Sequence, residues 1–276
     1  MKHLANISHW KVNNYYNQSM FTISNLIPQS FSATHLHHIL NKFVKPGNSI
    51  LEIGVAPGLH LIDIAKKFSL EPYGLDYSAE GVRATKKNFE AAGYNPSQVF
   101  KSDFFDDKIQ KNNFGKFDIV YSAGFIEHFD DVKAVLEQHR KFVKPGGIAI
   151  VTIPNLKLLA RWVPADVLAV HNRSIMSPAA LRAALPTSLV EIETDYYGGL
   201  FNIGLIYFKK EPQEFLRKIA YSIQRVTIDQ FQKLLLLLTE YTFRNSQTTP
   251  DIYLVARNKP QFAKNELDHK NTRNKK

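Results

Sequence analysis

Five short apolar runs, each followed by punctuation or by a stretch of helical period, fill the first half of this chain and leave few folds open to it. Residues 49–55 (SILEIGV) form a strand-length run closed by a Gly/Pro turn, the pattern of a buried parallel strand. Leu61, Ile64, Ala65 and Phe68 then recur at helical spacing. A strand over 73–76, a helix from Ala79 to about Ala92 and a third strand over 98–103 follow. Residues 117–122 (FDIVYS) read as the fourth strand and 148–153 as the fifth. Between them lies a helix marked by Val132, Val135, Leu136, His139 and Val143 and stopped by Pro145-Gly146-Gly147. Strands alternating with helices of this length demand right-handed crossovers, so the pattern predicts an α/β fold with a doubly wound, mostly parallel sheet. In that architecture ligands bind beyond the carboxyl ends of the strands, near the switch in strand order.

The later part is less regular. Residues 156–186 hold a loop and a short helix, 189–197 alternate like a strand, and 251–257 (DIYLVAR) can return as the last strand. Between them, 214–243 read as two amphipathic helices, with Phe215, Ile219, Ile223 and Val226 in one stripe expected to pack into the core, a membrane-surface or partner face being the second reading. The expected organisation is a helical N-terminal cap over 1–45, a main domain over 46–257 with a helical insertion at 200–250, and a basic disordered tail over 258–276.

Composition narrows the chemistry. The 276 residues include no cysteine, which removes disulfide scaffolds, cysteine-ligated clusters and thiolate nucleophiles. The net charge of +10 is partly confined to the tail, where six basic residues oppose Glu266 and Asp268, so nucleic acid is an unfavoured partner. The longest aliphatic run, 234–238, falls far short of the roughly 18 residues of a membrane span. His3, Asn6, His9 and Trp10 interrupt the apolar stretches at the N-terminus, so no signal peptide is expected and the reading is a soluble cytoplasmic protein.

The sharpest local signal is residues 50–58, a strand ending in small residues that opens a helix. Small side chains let backbone N–H groups approach a ligand, and the helix start favours negative charge. Asp76, at the end of the next strand, can accept both hydroxyls of a ribose. A dinucleotide fingerprint counted from Gly54 would need glycine at Ala56 and Leu59, which puts a nicotinamide cofactor second.

Glu52-x-Gly54-x-Ala56-x-Gly58, Asp76, Asp103-Phe104, residues 117–120 with Glu127-His128, and Lys144-Pro145-Gly146-Gly147 together resemble the class I S-adenosylmethionine-dependent methyltransferases, in order from about Ser49 to Asn155. The resemblance implies a seven-stranded sheet with its last strand antiparallel and S-adenosyl-L-methionine as cofactor. It implies that Glu52, Gly54, Ala56 and Gly58 line the methionine end, that Asp76 holds the ribose, and that Tyr77 lies beside the adenine. Asp103, followed by Phe104, would meet the adenine amine, and Ser122 would close the pocket. The insertion after Gly199 exceeds the hairpin usual in the family and is the candidate for acceptor recognition. Glu127-His128 is also similar to a Glu-x-x-Glu-His metal motif of some oxygen methyltransferases, but Gly124 stands at the first glutamate and no metal is expected.

Displacement at a sulfonium needs alignment and, for a hydroxyl acceptor, removal of a proton. His128, after the fourth strand, and His171, in the loop after the fifth, are the candidate bases beside Glu127. His35, His37 and His38 have spacing suited to helix packing rather than to metal ligation. Trp10, Tyr15 and Tyr16 are candidates for a lid, and Tyr196, Tyr197 and Phe201 for stacking a ring or sugar. No two prolines are adjacent, so the proline-pair tetrapeptide of DNA amino-methylating relatives is missing. The expected activity is methyl transfer to an oxygen or nitrogen of a small molecule or glycan. The alternatives are a quinone or aromatic-ring acceptor and a noncatalytic nucleic-acid binder with a relic cofactor pocket.

Overall fold

The computed structural model describes residues 29–157, 165–203 and 213–260. The elements in chain order are α1 (Phe31–Leu40), β1 (Ser49–Ile53), α2 (Leu59–Phe68), β2 (Glu71–Asp76), α3 (Ala79–Ala92), β3 (Val99–Lys101), α4 (Asp107–Asn112), β4 (Phe117–Ala123), α5 (Val132–Phe142) and β5 (Val143–Pro154). There follow α6 (Ala165–Leu168), α7 (Pro178–Ala183), β6 (Leu189–Tyr197), α8 (Gln213–Val226), α9 (Ile228–Thr239) and β7 (Asp251–Asn258). The seven strands form one sheet in the order β3-β2-β1-β4-β5-β7-β6. β1 to β5 pair in parallel, whereas β7 runs antiparallel between β5 and β6. This is the doubly wound, mostly parallel seven-stranded fold, and its strand order reverses between β1 and β4.

Alternate residues of the strands feed two cores. Leu51 and Ile53 of β1 pack with Val135, Leu136 and Phe142 of α5 on one face, while Ile50 packs with Leu61 of α2 and Phe89 of α3 on the other. At the amino edge the Asp118 carboxylate accepts from the Ser49 backbone N–H (2.9 Å), the Ser49 hydroxyl (2.7 Å) and Lys144 Nζ (2.9 Å), joining three strands. Those donors hold its carboxyl below the usual range against the opposing effect of burial.

Two local readings are corrected. Pro145-Gly146-Gly147 lies within β5, which begins at Val143 directly after α5, and the β4–β5 register shifts there between Phe117 and Ile119. The stripe Phe215, Ile219, Ile223 and Val226 is exposed rather than packed in the core. The hairpin α8–α9 instead buries polar side chains. Asp229 accepts from the Phe31 N–H at the start of α1 (3.0 Å) and from Gln224 Nε2 (3.1 Å). Gln232 Oε1 accepts from the Leu200 N–H (2.8 Å). Directed bonds to loop backbone set which face turns inward, and periodicity alone does not report that choice. Trp10, Tyr15 and Tyr16, and the tail from 261 on, lie outside the described residues.

Two histidines are locked neutral inside the fold. His139 Nδ1 donates to Val135 O (2.9 Å) and its Nε2 accepts from the Ser122 hydroxyl (3.0 Å), and burial lowers its pKa to about 4. His35 Nδ1 accepts from the Gly198 N–H (3.2 Å), and burial followed by His38 and nearby cations lowers it to about 3. The unfolded chain therefore binds more protons, so stability is full above the unfolded value of 6.5 and falls as pH drops toward the folded values. His139 alone should contribute a loss of about 2 kcal/mol by pH 5. Chemical denaturation at several pH values checks this: His139→Gln should flatten the acid limb, and an unchanged limb would clear His139 of the effect.

Candidate active site

The carboxyl edge of the sheet at the strand-order switch collects the candidate residues. β1 ends at Ile53, and the chain turns through Gly54 (φ 73°) and Gly58 (φ 87°), a left-handed backbone that residues with a Cβ adopt only at a cost. The N–H groups of Gly54 (2.9 Å) and Val55 (3.2 Å) both reach Leu75 O, so the loop stays tied to β2. Asn88 Nδ2 of α3 donates to Pro57 O (2.9 Å) and fixes the other side of the loop. At the end of β2, Asp76 accepts from the Ala56 N–H (3.3 Å) and the Ser78 N–H (2.8 Å), so its carboxylate lies against the loop.

Glu52 lies between Gly74 of β2 and Tyr121 of β4 in the register of the sheet. Its Oε2 is buried with no hydrogen-bond partner. Burial raises its pKa well above the ordinary value and neighbouring Asp76 raises it further, while the Leu61 N–H opposes them. Asp76 is itself raised by burial against its backbone donors. Two desolvated carboxyl groups beside a loop with left-handed glycines fit a ligand that carries positive charge and ribose hydroxyls, as S-adenosylmethionine does. Tyr77, half exposed, follows Asp76 at the rim. Asp103 accepts from the Phe105 N–H (2.9 Å) and caps the turn after β3.

Two expected cofactor contacts are placed otherwise. The Ser122 side chain is fully buried, and its hydroxyl is committed to His139 of α5. Phe104 is packed in an aromatic cluster, its ring 4.9 Å from His139, 5.4 Å from Phe125 and 5.8 Å from Phe142.

On the other side of the switch, β4 gives way to Gly124 and a single 3-10 turn, Ile126–His128. Glu127 is buried, its Oε2 has no hydrogen-bond partner, and burial, with a smaller effect of Asp251, pushes its carboxyl up to about 8. His128 Nδ1 donates to Val170 O (2.8 Å), which fixes the ring and leaves the lone pair on Nε2. His171 joins from the loop after β5, with its ring 4.7 Å from that of His128. Asn172 holds that loop in place, donating from its N–H to Glu127 O (2.6 Å) and from Nδ2 to Phe129 O (3.0 Å).

The structure thus brings together all three expected catalytic residues. Glu127, His128 and His171 each offer a ligand atom, and these atoms lie within 4.8 Å of one another, a spacing one cation can bridge. The expectation of no metal rested on Gly124 standing at the first glutamate position.

Sequence reading missed Asp251. It opens β7 and pairs with Pro154 of β5 and Tyr197 of β6, so an antiparallel strand delivers its first residue to the edge where parallel strands deliver their last. Burial pushes its carboxyl up to about 7, opposed by the Ser32 hydroxyl. It also helps to raise Tyr121 and Tyr197, both driven up mainly by burial. His37 pairs with Asp63 (2.9 Å), and with His35 bonded to Gly198 these two histidines of α1 serve packing.

The chain matches the family model described as a methyltransferase domain over residues 27–187. Among characterised proteins it is 28% identical over 109 residues to phosphoethanolamine N-methyltransferase 3 of Arabidopsis thaliana, covering 40% of this chain and 21% of the plant protein. It is 29% identical over 182 residues to the ubiquinone biosynthesis O-methyltransferase of Caulobacter sp. (strain K31), covering 55% of this chain and 66% of that one. The chain therefore spans less than two thirds of the length of either relative. Its fold is similar to that of the PH0226 protein from Pyrococcus horikoshii OT3, with a TM-score of 0.56 at 14% identity over 92% of this chain and all of that one. It is similar also to a SAM dependent methyltransferase from Aquifex aeolicus, with a TM-score of 0.50 at 14% identity over 86% and 96% of the two chains.

The loop geometry gives a direct test. A Cβ on Gly54 would lie 2.9 Å from Phe125 Cδ2, on a backbone that already disfavours one. Gly54→Ala should cost at least about 1 kcal/mol in denaturant unfolding. Phe125→Leu in the same chain should recover the steric share only. A Gly54→Ala protein as stable as its parent would show that the loop does not hold this conformation.

Proposed function

The chain belongs to the methyltransferase-domain family, the class I S-adenosylmethionine-dependent methyltransferases, and on that premise we propose that it methylates an oxygen, or an unhindered nitrogen, of a small-molecule or glycan acceptor. The observation that carries this reading is the group formed by buried Glu127 and His128 after β4 with half-buried His171 from the loop after β5, across the switch point from the Asp76 loop. When bound, S-adenosylmethionine supplies a methyl on a sulfonium and leaves as S-adenosylhomocysteine. Asp76 would accept from the ribose hydroxyls, Glu52 with Gly54, Ala56 and Gly58 would face the methionine end, and Tyr77 and Asp103 would flank the adenine.

For a hydroxyl acceptor, the task left to the protein is alignment and proton removal. His128, its ring held by the Val170 bond, would perform the second, and His171 stands beside it. Glu127 would steady an imidazolium formed there, since a nearby positive charge favours its ionised form. A quinone or aromatic-ring hydroxyl is the second reading, favoured by the likeness to the Caulobacter O-methyltransferase. Among the described residues no helix is long and apolar enough to cross a membrane.

Two experiments test the reading. Asp76→Ala should weaken S-adenosylhomocysteine binding by about a hundredfold in calorimetry, the loss of about 3 kcal/mol in charge-assisted bonds, and unchanged affinity would remove Asp76 from the site. His128→Gln should lower turnover by roughly two to four decades with cofactor affinity nearly constant. If His171→Gln is deleterious and His128→Gln is not, the base is His171; if neither matters, the acceptor needs alignment only. Turnover should survive EDTA, and activity lost to EDTA and restored by a divalent cation would transfer proton handling to a metal on the same three side chains.

A further inference from the structure

Five strands each place one polar side chain on the same face of the sheet, near the carboxyl ends of the parallel strands. Glu52 of β1 and Tyr121 of β4 are register partners, and Tyr121 shares its face with Ile119, Ile150 and Tyr253 in the core beneath α1 and α2. The two-residue period of a strand puts Thr152 of β5 and Asp251 of β7 on that face as well, and Tyr197 of β6 pairs with Asp251. Glu127 reaches the row from the turn after β4. These groups feel one another. Beyond burial, which is the larger cause in each, Asp251 disfavours ionisation of Glu127, Tyr121 and Tyr197, and Glu52 does the same to Tyr121.

The row is short of donors. The Tyr121 hydroxyl and Glu127 Oε2, in residues each 1% exposed, are buried without a hydrogen-bond partner, as is Glu52 Oε2. Buried polar atoms are almost always met, so this set is shaped for something that donates. Asp251 is half-buried and held in place. It accepts from the Ser32 hydroxyl, and a Cβ on Gly198 (φ 101°) would lie 3.2 Å from its Oδ2, so a residue with a side chain there would crowd the carboxylate. Charge narrows the donor further. Among the described residues no lysine or arginine acts on Glu127 or Asp251. A phosphate or carboxylate entering here would meet like charge and phenolic oxygen. An ammonium brings three donors together with the charge that lets a buried carboxyl ionise. With Glu52 assigned to the cofactor, Tyr121, Glu127 and Asp251 are left to face the acceptor.

We propose that the acceptor carries a protonated amino group, which docks on Asp251 and the Tyr121 hydroxyl beside Glu127, while a separate hydroxyl or nitrogen of the same molecule stands at His128. A protonated amine has no lone pair to attack a sulfonium, so the anchor and the methylated atom are different groups. The acceptor class is therefore a small molecule or sugar with an amine near the methylated position. The amine anchor rests on the methyl-transfer reading, and binding measurements separate the two. Protein saturated with S-adenosylhomocysteine is titrated near neutral pH with glucosamine against glucose and with aminocyclohexanol against cyclohexanediol, pairs that differ in one amino group, and binding is followed by ligand-observed NMR. In at least one pair the amine should bind about tenfold more tightly than its hydroxyl partner, and in the presence of EDTA. Asp251→Asn should abolish that preference. Tyr121→Phe, which removes a hydroxyl with no bond to lose, should narrow it several-fold, with S-adenosylhomocysteine affinity unchanged. If Asp251→Asn does not fold, Tyr121→Phe decides, and an undiminished preference there overturns the anchor. Loaded protein that prefers no amine, or that keeps its preference in folded Asp251→Asn, overturns the anchor and leaves the methyltransferase reading standing. Failure of the parent chain to bind S-adenosylhomocysteine overturns both. A preference that needs an added divalent cation overturns the anchor in favour of an ion on Glu127, His128 and His171.

Discussion

Desolvated carboxyl groups at one edge of the sheet are the constraint around which the site is arranged. Glu52 and Asp76 on one side of the strand-order switch, and Glu127 and Asp251 on the other, all have ionisation made difficult mainly by burial. Carboxyls held this way are a cost to the fold until something positive or hydrogen-donating meets them. The backbone supplies part of it, through the N–H groups of Leu61 to Glu52 and of Ala56 and Ser78 to Asp76. The buried Oε2 atoms of Glu52 and Glu127 receive no such bond. On the proposed function, a ligand bearing a sulfonium, an ammonium and ribose hydroxyls would answer the first pair, and an acceptor giving up a proton would answer the second.

The donor half of the site was legible because it is local. Glu52, the glycine loop and Asp76 lie within two consecutive strand–turn units, where strand length, left-handed glycines and a terminal acid all leave marks in the sequence. Phe104, after β3, and Ser122, on β4, lie beyond those two units, and the motif did not report where their side chains turn. Position in a motif places the backbone, but Ser122 found a hydrogen-bond partner in His139 and Phe104 found aromatic neighbours, and those contacts turned both side chains into the core.

The order β3-β2-β1-β4-β5-β7-β6 was likewise recoverable in outline, since alternating strands and helices allow few topologies. The facing of the C-terminal hairpin was not. A stripe at helical period says that two faces differ, and the usual assumption is that the apolar one turns inward. Here Gln224, Asp229 and Gln232 close backbone N–H and C=O groups that the 198–203 segment and the start of α1 would otherwise leave without partners. Satisfying buried backbone groups outweighed burying the stripe.

The acceptor half has a different construction from the donor half, and the difference bears on how the chain can specialise. Glu127 and His128 come from the turn after β4, His171 from the loop after β5, and Asp251 from the start of an antiparallel strand far along the chain. The clamp is small: Asn172 bonds two carbonyls of the β4 turn, and His128 bonds Val170 in return. Because these links join loops rather than sheet strands, residues around His171 can change what reaches the Glu127 group without disturbing the Glu52–Asp76 loop, which is braced independently by Leu75 and Asn88. A fold of this kind keeps one end of its ligand-binding edge rigid and lets the other be rebuilt.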